Sequence, residues 1–189
     1  MVAGATGVIG RRLCPLLIAE GWQVAGTTRF AGKVQALCAS GVEPLVADVF
    51  DARQLLNAVT TVRPGIIAAA VACGVSRMVV QSIAFAYEPG LGPYHENSPL
   101  GSAPLARFEQ QVLDAPLAGI ILRYGKLYGP GTGFDNSPSD TPVHVDAARR
   151  AVTRGQRGIY NIAENDGTVS SQKAISELGW DSAFRCSND

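Results

Sequence analysis

Charge is scarce in this chain. Of its 189 residues only 17% are Asp, Glu, Lys or Arg, against about 25% in an average soluble domain. The sixteen basic side chains cancel the sixteen acidic ones, and no Lys/Arg run is longer than Arg11-Arg12 or Arg149-Arg150. The electrostatic footprint of a nucleic-acid or anionic-membrane binder is therefore missing, and a small-molecule ligand is expected instead. No apolar stretch approaches the roughly 18 residues of a membrane span, and the N-terminus shows no charged region followed by an apolar one and a cleavage site. A cytoplasmic location is expected. Cysteine and histidine are sparse too: Cys14, Cys38, Cys73 and Cys186 form no CxxC pair, with only His95 and His144 beside them. Free buried thiols and no metal site are expected. What the chain does have is 47% hydrophobic residues, which excludes disorder and allows a sizeable core in roughly one domain.

The first half alternates strand-like and helix-like segments. Met1 to Ala3 reads as the end of a strand, followed by a glycine turn and a helix to about Glu20, with Pro15 inside it. Gln23 to Thr27 and Val42 to Ala47 read as strands, Gly32 to Ala39 as a helix, and Asp51 to Thr61 as a helix capped by Asp51. Such alternation implies a parallel sheet with right-handed crossovers. At Arg63-Pro64-Gly65 the alternation fails, because Ile66 to Cys73 reads as another helix before the strand Arg77 to Ser82. A strand is missing, so residues are expected to be absent here, by deletion or by being unrecorded. Further on, 88–104 reads as a loop over a site, Leu105 to Leu113 as a helix and Gly119 to Tyr124 as a buried strand. The last third reads as loop, then a helix near Val145 to Thr153, a strand Gly158 to Ile162 and a helix from about Ser171 to Leu178.

The strongest chemical signal is Gly4-x-x-Gly7-x-x-Gly10 between strand and helix. Glycines there permit the tight turn and let backbone approach a pyrophosphate held at the helix N-terminus, so Gly4, Thr6, Gly7, Val8, Ile9 and Gly10 are candidate cofactor residues. At the end of the second strand, an acidic side chain would grip the ribose of NAD. This chain reads Thr27-Thr28-Arg29 instead, and Arg29 suits a 2′-phosphate, with Thr28 beside it. NADP is thus expected, with NAD possible. Asp48 suits either an adenine amino group or a helix cap.

Together with Asp48-Val49, Val79-Val80-Gln81-Ser82 with Tyr87, Leu122-Arg123-Tyr124 with Tyr128-Gly129-Pro130-Gly131, and Val143-His144-Val145-Asp146, the segment Val2 to Gly10 resembles the extended short-chain dehydrogenase/reductase family. These are the NAD(P)-dependent epimerases and dehydratases. The resemblance runs in order over nearly the whole chain. It implies an α/β fold, a Rossmann-type doubly wound parallel sheet at 1–128 with a small C-terminal substrate lobe at 129–189. It also implies oxidoreductase or epimerase chemistry on a small hydroxyl or carbonyl substrate such as a nucleotide sugar. By the same resemblance Val49, Gln81 and Tyr124 join the cofactor residues, and Lys126 falls where relatives point a polar side chain at substrate.

One departure matters. The family moves the proton that accompanies hydride transfer with a Tyr-x-x-x-Lys pair, and none of the five tyrosines has a lysine four residues on. Glu109 matches a helix glutamate of the family, which puts Leu105 at the lysine position. Ser82, Tyr87 and Lys126 are the remaining catalytic candidates. The alternative is a catalytically idle NADP-binding sensor of the same fold. Tyr128 reads as a structural residue, and His144 with Asp146 as a cap and interface contact. Helices flanking the sheet leave a homodimer open.

Overall fold

The computed structural model describes residues 1–46, 65–72, 74–128 and 144–182. The chain divides into two compact units, Met1–Gly74 and Val75–Asp189, each of which is an α/β arrangement with parallel strands.

In the first unit, helix α1 spans Gly10–Ala19 and buries Leu13, Cys14 and Leu17, a spacing that places them on one face. Pro15 lies within it. The helix ends where Gly21, at φ +87°, turns the chain, with the Gly21 N–H on the Ile18 carbonyl at 2.9 Å and the Trp22 N–H on that of Leu17 at 3.0 Å. Strands β1 (Ala25–Thr28) and β2 (Glu43–Val46) pair in parallel, Ala25 opposite Glu43. A 3-10 turn at Ala31–Lys33 and helix α2 (Val34–Ala39) connect them. The strand expected at Met1 to Ala3 is a single parallel bridge from Val2 to Gly26. It is closed by the Val2 N–H on the Ala25 carbonyl at 2.7 Å and the Thr27 N–H on the Val2 carbonyl at 2.9 Å. Helix α3 runs over Gly65–Ala72. The helix expected at 51–61 lies outside the described residues.

In the second unit, β3 (Arg77–Ile83), β4 (Ala118–Tyr124) and β5 (Gly158–Ile162) form one parallel sheet in the order β3-β4-β5. The central strand β4 is buried on both faces from Gly119 to Tyr124, as a covered parallel strand should be. Helix α4 (Ala103–Asp114) and helix α5 (His144–Ala151) accompany it. Two arginines clamp the connections: Arg157 donates to the carbonyls of Leu113, Ala115 and Leu117, and Arg77 to those of Ala151, Arg154 and Gly155. The expected C-terminal helix is a π-helical turn, Ala174–Leu178, closed by buried Trp180. Cys14 is free and buried as expected, whereas Cys38 is free and exposed.

No ladder among the described residues joins β1 and β2 to β3, β4 and β5. A doubly wound sheet runs 3-2-1-4-5, so the strand that would link its two halves is the fourth. Among the described residues no strand stands between β2 and β3, and residues 47–64 lie outside them.

Candidate functional site

The glycine turn is shaped by backbone contacts within the first unit. Gly4 adopts φ +72°, and its N–H donates to Thr27 Oγ1 at 3.1 Å. The Gly7 N–H donates to the Gly4 carbonyl at 2.8 Å. A Cβ on Gly10 would stand 2.3 Å from the Gly4 oxygen and 2.6 Å from Ala5 Cα, so only glycine lets the turn close on the start of α1. Ile9 at the N-cap makes no side-chain hydrogen bond, and in the first turn the Arg11 N–H donates to the Gly7 carbonyl at 3.0 Å and the Arg12 N–H to that of Ile9 at 3.1 Å. The Thr6 and Thr28 hydroxyls lie 3.4 Å apart. These features fit a dinucleotide: a tight glycine turn, a helix start without a side-chain cap and two hydroxyls. When bound, its nicotinamide supplies or takes up a hydride.

At the end of β1 the Arg29 guanidinium sits 5.3 Å from the centroid of the Phe30 ring, and Lys33 Nζ 5.2 Å from it. Phe30 is 54% exposed. Lys33 escaped the sequence reading because it lies four residues past Arg29, on the 3-10 turn. Asp48 and Val49 lie outside the described residues.

In the second unit a buried ion pair organises the candidate catalytic residues. Arg123 on β4 donates to Glu109 on α4 through Nε to Oε1 at 3.0 Å and through Nη2 to Oε2 at 2.6 Å. Ser82 on β3 donates to the same Glu109 Oε1 at 2.6 Å. Arg123 Nη1 donates to the Tyr87 hydroxyl at 2.9 Å, and that hydroxyl donates to Asn161 Oδ1 at 2.6 Å. Burial pushes the Tyr87 phenol up, with the bond from Arg123 acting the other way. Sequence reasoning saw Glu109 only as a family marker and missed Asn161. The signal was the Arg123 register, which places its guanidinium on the Glu109 face.

A cleft of about 480 Å³ opens beside this network, lined by Phe85, Tyr87, Tyr94, Lys126, Tyr128 and Glu164 among others. The 88–104 loop supplies Tyr94, whose ring stacks on Tyr87 at 5.1 Å with planes 8° apart. The loop is held there by the Tyr94 N–H on the Thr168 carbonyl at 2.9 Å and the Ser170 N–H on the Tyr94 carbonyl at 2.8 Å. Tyr128 donates to Glu164 Oε1. Tyr87 and Lys126 thus share the cleft wall, while Ser82 lies in the buried network behind it. Tyr124 is buried, and burial pushes its phenol up; Gln81 is exposed on β3. Asp146 is buried and bonded by Arg149 and Arg150, an ion cluster within α5. By the resemblance that puts Leu105 at the family's lysine position, Gly101, four residues before it, falls at the tyrosine position.

Residues 1–95 match the NAD dependent epimerase/dehydratase family, and the chain belongs to that family. It is 32% identical to a 3-diazoavenalumate denitrifying reductase of a Streptomyces species, over 94% of this chain and 71% of the relative. The aligned stretch, 222 residues, exceeds the 189 of this chain. The relative therefore carries residues within the matched stretch that this chain lacks.

Among solved structures, a UDP-glucose 4-epimerase of Thermus thermophilus in complex with NAD superposes with a TM-score of 0.73 at 17% identity, covering 98% of this chain and 94% of that one. A UDP-glucuronic acid 4-epimerase of Bacillus cereus in complex with NAD gives 0.72 at 14%, covering 97% and 91%. The fold is Rossmann-like, α/β with parallel strands.

Proposed function

We propose that the chain is an NADP(H)-dependent oxidoreductase acting on a small hydroxyl or carbonyl compound, with residues 1–46 holding the dinucleotide and the cleft around Lys126 holding the substrate. The observation that carries this reading is the Gly4 to Gly10 turn, closed so tightly on the start of α1 that only glycine fits at Gly10. A turn of this kind lets a pyrophosphate approach the backbone at a helix N-terminus. The convergence of Arg29 and Lys33 on Phe30 supports a 2′-phosphate, since two cations stand where NAD binding wants a carboxylate. In this proposal Lys126 holds the polar end of the substrate, Tyr87 forms the aromatic wall, and Ser82 steadies Glu109. The division into a dinucleotide domain at 1–128 and a substrate lobe at 129–189 belongs to the same proposal, with β5 returning to the sheet of β4. So does a cytoplasmic location.

The test is NADPH and NADH consumption with a panel of aldehydes, ketones and nucleotide sugars, extended to a diazo compound because the Streptomyces relative is named for one. Turnover that prefers NADPH supports the reading. Tight NADPH binding with no turnover favours the idle sensor, which Gly101 and Leu105 in place of the proton pair would suit.

A further inference from the structure

We infer that Tyr128 and Glu164 form the proton relay of this protein. The inference rests on the oxidoreductase reading above. Hydride transfer to or from a carbonyl leaves a proton to be moved, and the positions from which the family moves it hold Gly101 and Leu105. Three described phenols line the cleft, and their partners differ in kind. The Tyr87 hydroxyl donates to the Asn161 amide oxygen. The Tyr94 hydroxyl donates to the Gly90 carbonyl at 2.9 Å and accepts from the Gly90 N–H at 2.6 Å. Neither amide oxygen can take up a proton at neutral pH. The Tyr128 hydroxyl donates to a carboxylate that itself lines the cleft, and a carboxylate can take up the proton and release it to water.

The elements around it fix this pair. Tyr128 stands four residues beyond the end of β4 and Glu164 two beyond the end of the adjacent β5. The β4–β5 ladder, with Tyr124 opposite Ile162, brings the two strand ends to the same edge of the sheet. The Gly125 N–H on the Ile162 carbonyl at 2.9 Å extends that pairing by one residue toward the pair.

In the direction of oxidation, the substrate hydroxyl gives its proton to the Tyr128 oxygen as the Tyr128 proton passes to Glu164. A dinucleotide held by the Gly4 to Gly10 turn would, in its oxidised form, supply the acceptor for the hydride that leaves the carbon as the C–O single bond becomes the carbonyl. Reduction runs the same transfers backwards, starting from protonated Glu164. The charged groups facing the pair from the cleft are Lys126 and Asp166.

The test uses the compound turned over best in the panel above. Tyr128→Phe is expected to lower kcat by about a hundredfold or more while leaving NADPH affinity within about twofold. Glu164→Gln is expected to lower kcat comparably and to abolish the acidic limb of the kcat/KM pH profile, with partial recovery in Glu164→Asp. Full activity in Tyr128→Phe overturns the relay and leaves the oxidoreductase reading standing. Should Tyr128→Phe fail to fold by circular dichroism, the Glu164→Gln profile decides, and an unchanged acidic limb overturns the relay. No turnover by the parent protein on any compound overturns the oxidoreductase reading itself, and the relay with it.

Discussion

Arg123 and Glu109 meet through two hydrogen bonds, of 3.0 and 2.6 Å, with each residue only 3% exposed. A buried pair of this kind adds little over an apolar pair of equal volume, but breaking it strands a charge. Arg123→Met is therefore expected to cost about 3–5 kcal/mol in urea unfolding, and Glu109→Gln a comparable amount. The double change Glu109→Leu with Arg123→Met is expected to recover most of that loss. Costs that simply add would show that the two side chains act independently.

Gly10 and Gly7 differ in how closely a neighbour approaches. A Cβ on Gly10 would lie 2.3 Å from the Gly4 oxygen, and one on Gly7 3.1 Å from the same atom. Gly10→Ala is expected to weaken NADPH binding more than tenfold and to destabilise the fold by about 1–3 kcal/mol. Gly7→Ala, whose neighbour has to give only a few tenths of an ångström, is expected to do less on both counts. Isothermal titration and thermal melts of the two variants check the order.

Arg29 and Lys33 provide a test of dinucleotide choice. Losing one charge-assisted bond to a phosphate is worth roughly 1.5–3 kcal/mol. Arg29→Ala is expected to cut the preference for NADPH over NADH at least tenfold, and Lys33→Ala to cut it less. An unchanged ratio of the two dissociation constants in Arg29→Ala would remove the assignment of NADP.

Alkaline pH reaches a different residue. Burial, and the hydrogen bond to Glu177, push the Tyr160 phenol from its ordinary 10 up to about 12. Between those values the folded protein holds a proton that the unfolded chain has released. Its contribution to stability is thus complete below pH 10 and is lost progressively as pH rises toward about 12. Tyr160→Phe is expected to flatten that part of the stability curve, read as urea midpoints at intervals from pH 9 to 12.

The sequence displayed the parallel α/β order because its apolar runs are short and punctuated by glycine, and the strands at β3, β4 and β5 fall within a residue or so of their expected bounds. The segment at Met1 to Ala3 was less legible. A strand that contributes one bridge leaves almost no periodicity to read. The cleft was harder still, since Tyr94, Tyr128 and Glu164 come from three separate stretches that only the sheet register assembles. Tyr128 read as structural because a phenol at a strand-to-loop junction carries no sign of its partner. Glu109 and Arg123, fourteen residues apart, were each visible, but nothing in their spacing marks them as a pair.

The two separate ladders bear on how the chain comes apart. Amide protons within one hydrogen-bonded ladder exchange together when that ladder opens, and a strand shared by two ladders ties their openings into one event. Among the described residues no strand is shared. Native-state hydrogen exchange should then resolve two families of amides with separate opening free energies. One would report on β1 and β2, the other on β3, β4 and β5, and a ligand held by the first unit alone would slow only its own family.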